Sequence, residues 1–174
     1  IKHAIEPEAL TQLMLQSPLQ GSLGKTLQHL DVSGSVAADV ELQIGLRQPG
    51  VIATGTVQFA DNQLQLQAPD LALAQLNGQL QFRNEQIWAE QLKLHWRQLP
   101  LTASLQGEQT TQGYQLAVDL NGQHQAQQLL QTLYAPAQGL ASGELDWRLK
   151  LALNLPETGF NYQAEVLANL QHTA

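Results

Sequence analysis

The 174-residue chain contains no cysteine. Disulfides, a thiol nucleophile and a zinc–thiolate site are therefore excluded, while the compartment stays open; the absence is compatible with the periplasm. Charge is also scarce. Eight basic and fifteen acidic side chains give a net charge of −7, and charged residues make up 13% of the chain, against about 25% in an average domain. A phosphate backbone needs clustered Lys and Arg, so the acidic balance argues against nucleic acid. No apolar run reaches the 18 residues that a membrane-spanning helix requires. There is no Gly-x-Ser-x-Gly nucleophile elbow. The first residue is Ile1 and no signal-peptide pattern follows, which reads as an internal piece of something longer. What fills the chain instead is leucine, 33 residues, and glutamine, 28 residues. Glutamine supplies the polarity that charge does not.

The length predicts one domain with a real core. Pro7 near a helix start, followed by Leu10, Leu13 and Met14, predicts a first helix that ends at Ser17-Pro18. Leu23, Leu27 and Leu30 fit a further amphipathic turn, so residues 1–30 read as a helical entry segment. From Asp31 the period changes to two. Val40, Leu42, Ile44 and Leu46 alternate with polar residues, and Arg47-Gln48-Pro49-Gly50 marks a turn. Val57 and Phe59 continue the pattern, Asp61-Asn62 reads as a tight turn, and Leu64 and Leu66 alternate with glutamines beyond it. Further strands are expected at 71–83, 86–97, 100–106, 113–121, 143–155 and 160–170, with a helical insertion at 123–134 between the strands at 113–121 and 143–155. The fold class is thus mainly β: a curved antiparallel meander over residues 31–174 plus two short helices. A weak repeat lies inside it. Residues 55–64, GTVQFADNQL, and 78–87, GQLQFRNEQI, share Gly, apolar, polar and Phe in order, and Gly143 to Trp147 echoes the first half.

The alternation is one-sided. Leu92, Leu94 and Trp96 share a face opposite Lys93, His95 and Arg97; Leu116, Val118 and Leu120 repeat the theme; Leu145, Trp147, Leu149, Leu151, Leu153 and Leu155 extend it. About nine strands at about 4.8 Å spacing make a ribbon of about 43 Å with one apolar face. Such a sheet either folds over its own core as a sandwich or barrel, or curls into an open trough that keeps this face for a ligand.

Catalytic and cofactor chemistry finds little footing. Residues 21–26, GSLGKT, suggest a phosphate-binding loop, but the position needing its first glycine is Leu19 and no strand leads in. His3, His29, His95, His124 and His172 never fall at metal-ligand spacing. Glu144 and Asp146 share a strand face, where surface charge explains them better than acid–base work. Trp88, Trp96 and Trp147 are expected to pack on the apolar face. No metal, no cofactor and no enzyme activity are expected; a periplasmic hydrolase would lack any constellation.

In order and spacing, the segments Ser17 to Leu46, Gly55 to Leu92, Leu99-Pro100-Leu101, Tyr114 to Gly122 and Gly143 to Leu155 resemble the AsmA-like proteins of Gram-negative bacteria, in their YhdP branch. Gly45 departs from the proline expected there. The resemblance covers nearly the whole chain and implies a section of a large protein held in the inner membrane by a helix outside this segment and projecting into the periplasm. It is similar to bridge-like lipid transfer proteins, which implies a hydrophobic groove carrying phospholipid between inner and outer membrane and supporting the outer-membrane permeability barrier. The implied partners are phospholipid acyl chains, neighbouring segments of the same protein, and the two membranes at its ends. No catalytic residues carry over. On this reading the groove is lined by Leu64, Leu66, Leu80, Phe82, Leu92, Leu94, Trp96, Leu101, Leu116, Val118, Leu120, Trp147, Leu149 and Leu151. The rival is a structural scaffold or interaction domain of the envelope with a closed β core.

Overall fold

The structure, a computed structural model, describes residues 3–5, 30–45, 50–66, 71–133, 142–156 and 161–169. Ten strands among them form a single sheet. They are β1 (His3–Ile5), β2 (Leu30–Ser33), β3 (Val36–Ile44), β4 (Val51–Leu66), β5 (Leu71–Arg83), β6 (Gln86–Trp96), β7 (Leu99–Thr110), β8 (Gly113–Gln125), β9 (Glu144–Leu155) and β10 (Asn161–Asn169). The spatial order is β1-β3-β4-β5-β6-β7-β8-β9-β10, with β2 also paired to β4. Every pairing is antiparallel. The sheet is curved and does not close on itself. Eight steps between nine strands span about 38 Å along the curve at about 4.8 Å each.

The only helix among the described residues is α1 (Ala126–Leu133), within the expected insertion. The helix expected after Pro7 lies outside the described residues. Near it, His3–Ile5 is strand and pairs with Val36–Ala38.

Two sequence expectations are corrected. Asp61-Asn62 is not a turn. β4 runs unbroken through it for 16 residues, and Asp61 takes φ = 60° inside the strand. Asp and Asn tolerate the left-handed region, so a bulge and a tight turn call for the same residues. Trp88 is not on the apolar face. It alternates with buried Ile87 and Ala89, opposite Gln81 on β5 and Gln106 on β7.

Both corrections have one cause. Register shifts interrupt β4 near Asn62, β5 between Ala74 and Asn77, and β6 between Ala89 and Leu92. At each shift the buried set changes phase: Ala53, Val57 and Phe59 give way to Asn62 and Leu64; Leu71 and Leu73 to Leu76, Leu80 and Phe82; Ile87 and Ala89 to Leu92 and Leu94. An extra residue in a strand bends it and strengthens its twist. Three of them side by side make a crease across β4, β5 and β6. Asn62, 1% exposed, pins it. Its Nδ2 donates to the carbonyls of Ser33 and Ser35 at 3.1 and 3.2 Å, and its Oδ1 accepts from the Ala60 amide at 2.8 Å. The connection from β2 to β3 is thereby stapled to the bulge.

The repeat acquires a physical meaning in the register. Gly55 stands opposite Phe82, and Phe59 stands opposite Gly78. Two Gly-x-x-x-Phe strands run antiparallel, so each glycine pairs with the other's phenylalanine, but the ring lies over the glycine only at Gly55; a Cβ on Gly78 would meet the Gln91 carbonyl and Leu92 instead. A Cβ on Gly55 would sit 2.7 Å from Phe82 Cζ; the ring occupies the space of the missing side chain. Gly122 opposite Trp147 on β8 and β9 is a second such pair. Glycine weakens a strand, and a ring laid over it restores the lost contact.

Candidate functional site

The apolar face is the candidate site. Curvature draws its side chains together along the middle strands, and they form three clusters. The first holds Val36, Val57, Phe82, Ile87 and Tyr114. The second holds Leu76, Leu92, Leu94 and Leu101, with Leu64, Leu80, Trp96, Leu120 and Trp147 packed on it. The third joins Ala126 and Leu129 of α1 to Leu99 and Leu145, with Trp96 and Trp147 at its border. Tyr114 and Leu99 are fully buried. Burial, with smaller contributions from Glu85 and Glu108, pushes the Tyr114 phenol far above its ordinary range, so it stays neutral on this face.

The residues expected to line a groove fall into two groups. Phe82, Leu92, Leu94 and Leu101 are buried among their neighbours. Leu64, Leu80, Trp96, Leu116, Val118, Leu120, Trp147, Leu149 and Leu151 are half-buried on the same face. The side chain of Leu66 lies outside what the structure describes; its backbone pairs with Leu30 and Leu71. The face is thus continuous from strand to strand, but its floor is packed.

Its flanks are open, and the sequence reading missed that contrast. On β3, Val36 is 2% exposed while Leu42 and Ile44 on the same face are 60% and 65% exposed. At the other flank Tyr162 and Val166 of β10 are 65% and 68% exposed, opposite Leu153 and Leu149. Strand position is the signal that would have found it: β1 pairs only Val36–Ala38 of β3, so among the described residues Leu42 and Ile44, like β10, have a neighbouring strand on one side only.

α1 sits where β7 and β9 begin and β8 ends. Its first amide donates to the Gly143 carbonyl at 2.8 Å. Near its other end the Thr132 carbonyl accepts from the Arg97 guanidinium, a cation placed where the helix dipole favours one. The Arg97 guanidinium also lies 5.1 Å from the Trp96 ring centre. Within this region Trp147 Nε1–H donates to His124 Nδ1 at 3.0 Å, and His124 Nε2 lies 3.0 Å from the Pro100 carbonyl oxygen.

The opposite face is polar. Gln58 Nε2 donates to the Gly78 carbonyl at 3.0 Å, and Asp119 and Arg148 pair at 2.6 Å across β8 and β9. The hydrogen bond from Arg148 holds the Asp119 carboxyl below its ordinary value. A shallow basin of about 610 Å³ lies beside this pair, against Thr102, Gln123 and Asn169. Among the described residues, no three His, Asp or Glu side chains group as a metal site requires, and no helix is long and apolar enough to cross a membrane.

No solved structure matches the chain. The intermembrane phospholipid transporter YhdP of Escherichia coli (strain K12) is 32% identical over 160 residues, which cover 91% of this chain and 13% of that protein. The chain therefore spans about an eighth of the length of that relative. The family model described as YhdP protein matches residues 1–174. With that match running end to end, the chain belongs to the YhdP family.

Proposed function

We propose that this chain is a non-enzymatic section of an apolar groove along which phospholipid acyl chains pass through the periplasm between inner and outer membrane. In this reading the whole protein is anchored in the inner membrane outside this segment, neighbouring segments extend the groove, and the traffic supports the outer-membrane permeability barrier. The observation that carries it is the open sheet with one apolar face, packed along its floor and exposed at Leu42, Ile44, Tyr162 and Val166. The relative named as a phospholipid transporter gives the cargo.

The physics suits such traffic. Each methylene left in water costs about 0.8 kcal/mol, so a chain of about 14 methylenes faces about 11 kcal/mol. A continuous apolar surface lowers that barrier along the route. Interchangeable Leu and Val side chains offer no tight site in which cargo would be trapped. The Leu149 and Leu151 row, half-buried beside the exposed β10, is where an acyl chain would lie in this section.

The packed floor supports a second reading, a scaffold whose apolar face is simply core. A photo-crosslinker at Leu151 in the full-length protein separates the two. Lipid captured at Leu151 but not at Lys150, which faces the other way and pairs with Glu165 at 3.6 Å, supports the groove. Equal capture at both, or none at either, favours the scaffold.

A further inference from the structure

We propose that His124 is a proton-operated latch: neutral, it holds the Trp147 indole against the α1 end of the apolar face; protonated, it releases the indole and loosens α1. His124 is 5% exposed, on the apolar side of β8, just before α1 begins. Both ring nitrogens are engaged. An indole N–H can only donate and a carbonyl can only accept. Nδ1, which receives the Trp147 proton at 3.0 Å, must therefore be bare, and Nε2 must carry the hydrogen given to the Pro100 carbonyl at 3.0 Å. The rings are stacked, with centres 6.1 Å apart and planes at 28°. Both close over Gly122, where a Cβ would lie 2.6 Å from imidazole Cε1 and 2.9 Å from the indole. The arrangement has one neutral tautomer and no room for another.

A second proton would go on Nδ1 and set donor against donor. Among the described residues, no acidic side chain of the surrounding elements faces the resulting cation. On β8 and β9, Asp119, Glu144, Asp146, Arg148 and Lys150 alternate onto the polar face. On β6, Lys93 and His95 alternate away from Leu94 and Trp96, and Arg97 in the following turn is held by the Thr132 carbonyl. On β7 the one charged residue, Glu108, lies near the far end of the strand, and α1 carries none. Nδ1 is the ring nitrogen left bare to take a proton, so acid is the trigger. Trp147 matters because it packs on two clusters, the central one and the one that binds α1 to Leu99 and Leu145. Freeing it uncouples the helix from the face and uncovers apolar surface at that end. Only the use of that surface by an acyl chain rests on the groove reading; the latch does not.

The test needs no lipid. In the isotopically labelled chain, the Trp147 indole N–H resonance and the hydrogen exchange of the α1 amides are followed from pH 8 to pH 5, in wild type and in His124→Gln. Glutamine can accept from the indole and donate to Pro100 but does not titrate. The indole resonance of the wild type moves in one step on acidification, and its α1 amides exchange about tenfold faster than those of His124→Gln at pH 5, the scale of one buried hydrogen bond lost. An indole resonance that stays fixed in wild type, or moves equally in both proteins, overturns the latch. A shift without faster α1 exchange overturns the helix release. Absence of lipid capture at Leu151 at every pH would count against the groove and leave the latch standing.

Discussion

Charge placed on the apolar face should be intolerable on its floor and nearly free at its flanks. Leu94 is 4% exposed and packs with Leu76, Leu92 and Leu101. Its replacement by Asp forfeits what a core Leu→Ala change forfeits, about 2–5 kcal/mol. The carboxylate adds a further cost, because its neighbours there are apolar and an unpaired buried charge is strongly destabilising. The sum rivals the whole stability of an ordinary domain, about 5–15 kcal/mol. At about 2–4 °C per kcal/mol for a domain of this size, the Leu94→Asp chain melts at least about 10 °C below wild type or does not fold. Val166, 68% exposed on the same face, behaves as a surface position within about 0.5 kcal/mol, so Val166→Asp melts within about 2 °C of wild type. Leu151, half-buried, falls between. The pH dependence has a definite sign. Burial raises the folded-state pKa of the carboxyl introduced by Leu94→Asp, so the charge penalty is absent below the unfolded value of about 3.9 and grows as pH rises toward the raised folded value. Leu94→Asn, which cannot ionise, should lack that slope. Thermal melts between pH 4 and 8 decide it. Near-native melting of Leu94→Asp at pH 7 would show that water reaches the floor, and the division into packed floor and open flanks would be wrong.

Two other outcomes follow from the same geometry. Gly55→Val should destabilise the chain more than Gly50→Val in a thermal melt, because its Cβ would press on the Asp39 carbonyl at 2.3 Å and the Phe82 ring at 2.7 Å, whereas nothing lies within 4 Å at Gly50; equal melting temperatures would show that the ring moves aside freely. The chain should also associate with itself through β10, whose nine residues are all exposed, since it is the last strand of the sheet among the described residues and an edge strand templates further pairing. Proline at Ala164 should reduce the dimers and larger species seen in sedimentation, and a strictly monomeric wild type would refute the edge as a contact.

How much of this is legible in the sequence depends on what each feature is made of. The strands from β5 to β10 stand within a few residues of their expected bounds, because alternation with period two is a strong local signal and short polar turns such as Asn84-Glu85, Arg97-Gln98 and Thr111-Gln112 interrupt it. The helical insertion is legible for the converse reason: Ala126, Leu129 and Leu130 break the period. The crease is not. A bulge shifts the phase of alternation by one residue, and over a strand of six or seven residues that shift looks like a turn, as at Asp61, or passes unseen, as at Gln75, which also takes a left-handed φ of 53°. Trp88 is misplaced when the phase of Leu92, Leu94 and Trp96 is carried back across a shift that reverses it. The His124 and Trp147 pairing is invisible for another reason: the two are 23 residues apart, and only the register of β8 against β9 brings them together.

The crease and the glycine–aromatic pairs also explain how one sheet can be both packed and open. A flat sheet of nine strands would expose its whole apolar face, and a closed barrel would hide it all. Curvature concentrated at β4, β5 and β6 turns the concave side inward there, so Phe82, Leu92 and Leu94 cover one another. The rings laid over Gly55 and Gly122 then let two strands bend without leaving gaps in the floor. Beyond Ala38 on β3 and along β10, among the described residues, a neighbouring strand stands on one side only, and side chains of the same type on the same face stand in solvent. Burial energy on the floor fixes the curve, and the curve leaves the flanks exposed. On the groove reading proposed above, that division would keep folding stability and cargo contact on different residues, so a change at Val166 or Ile44 would alter traffic without unfolding the sheet.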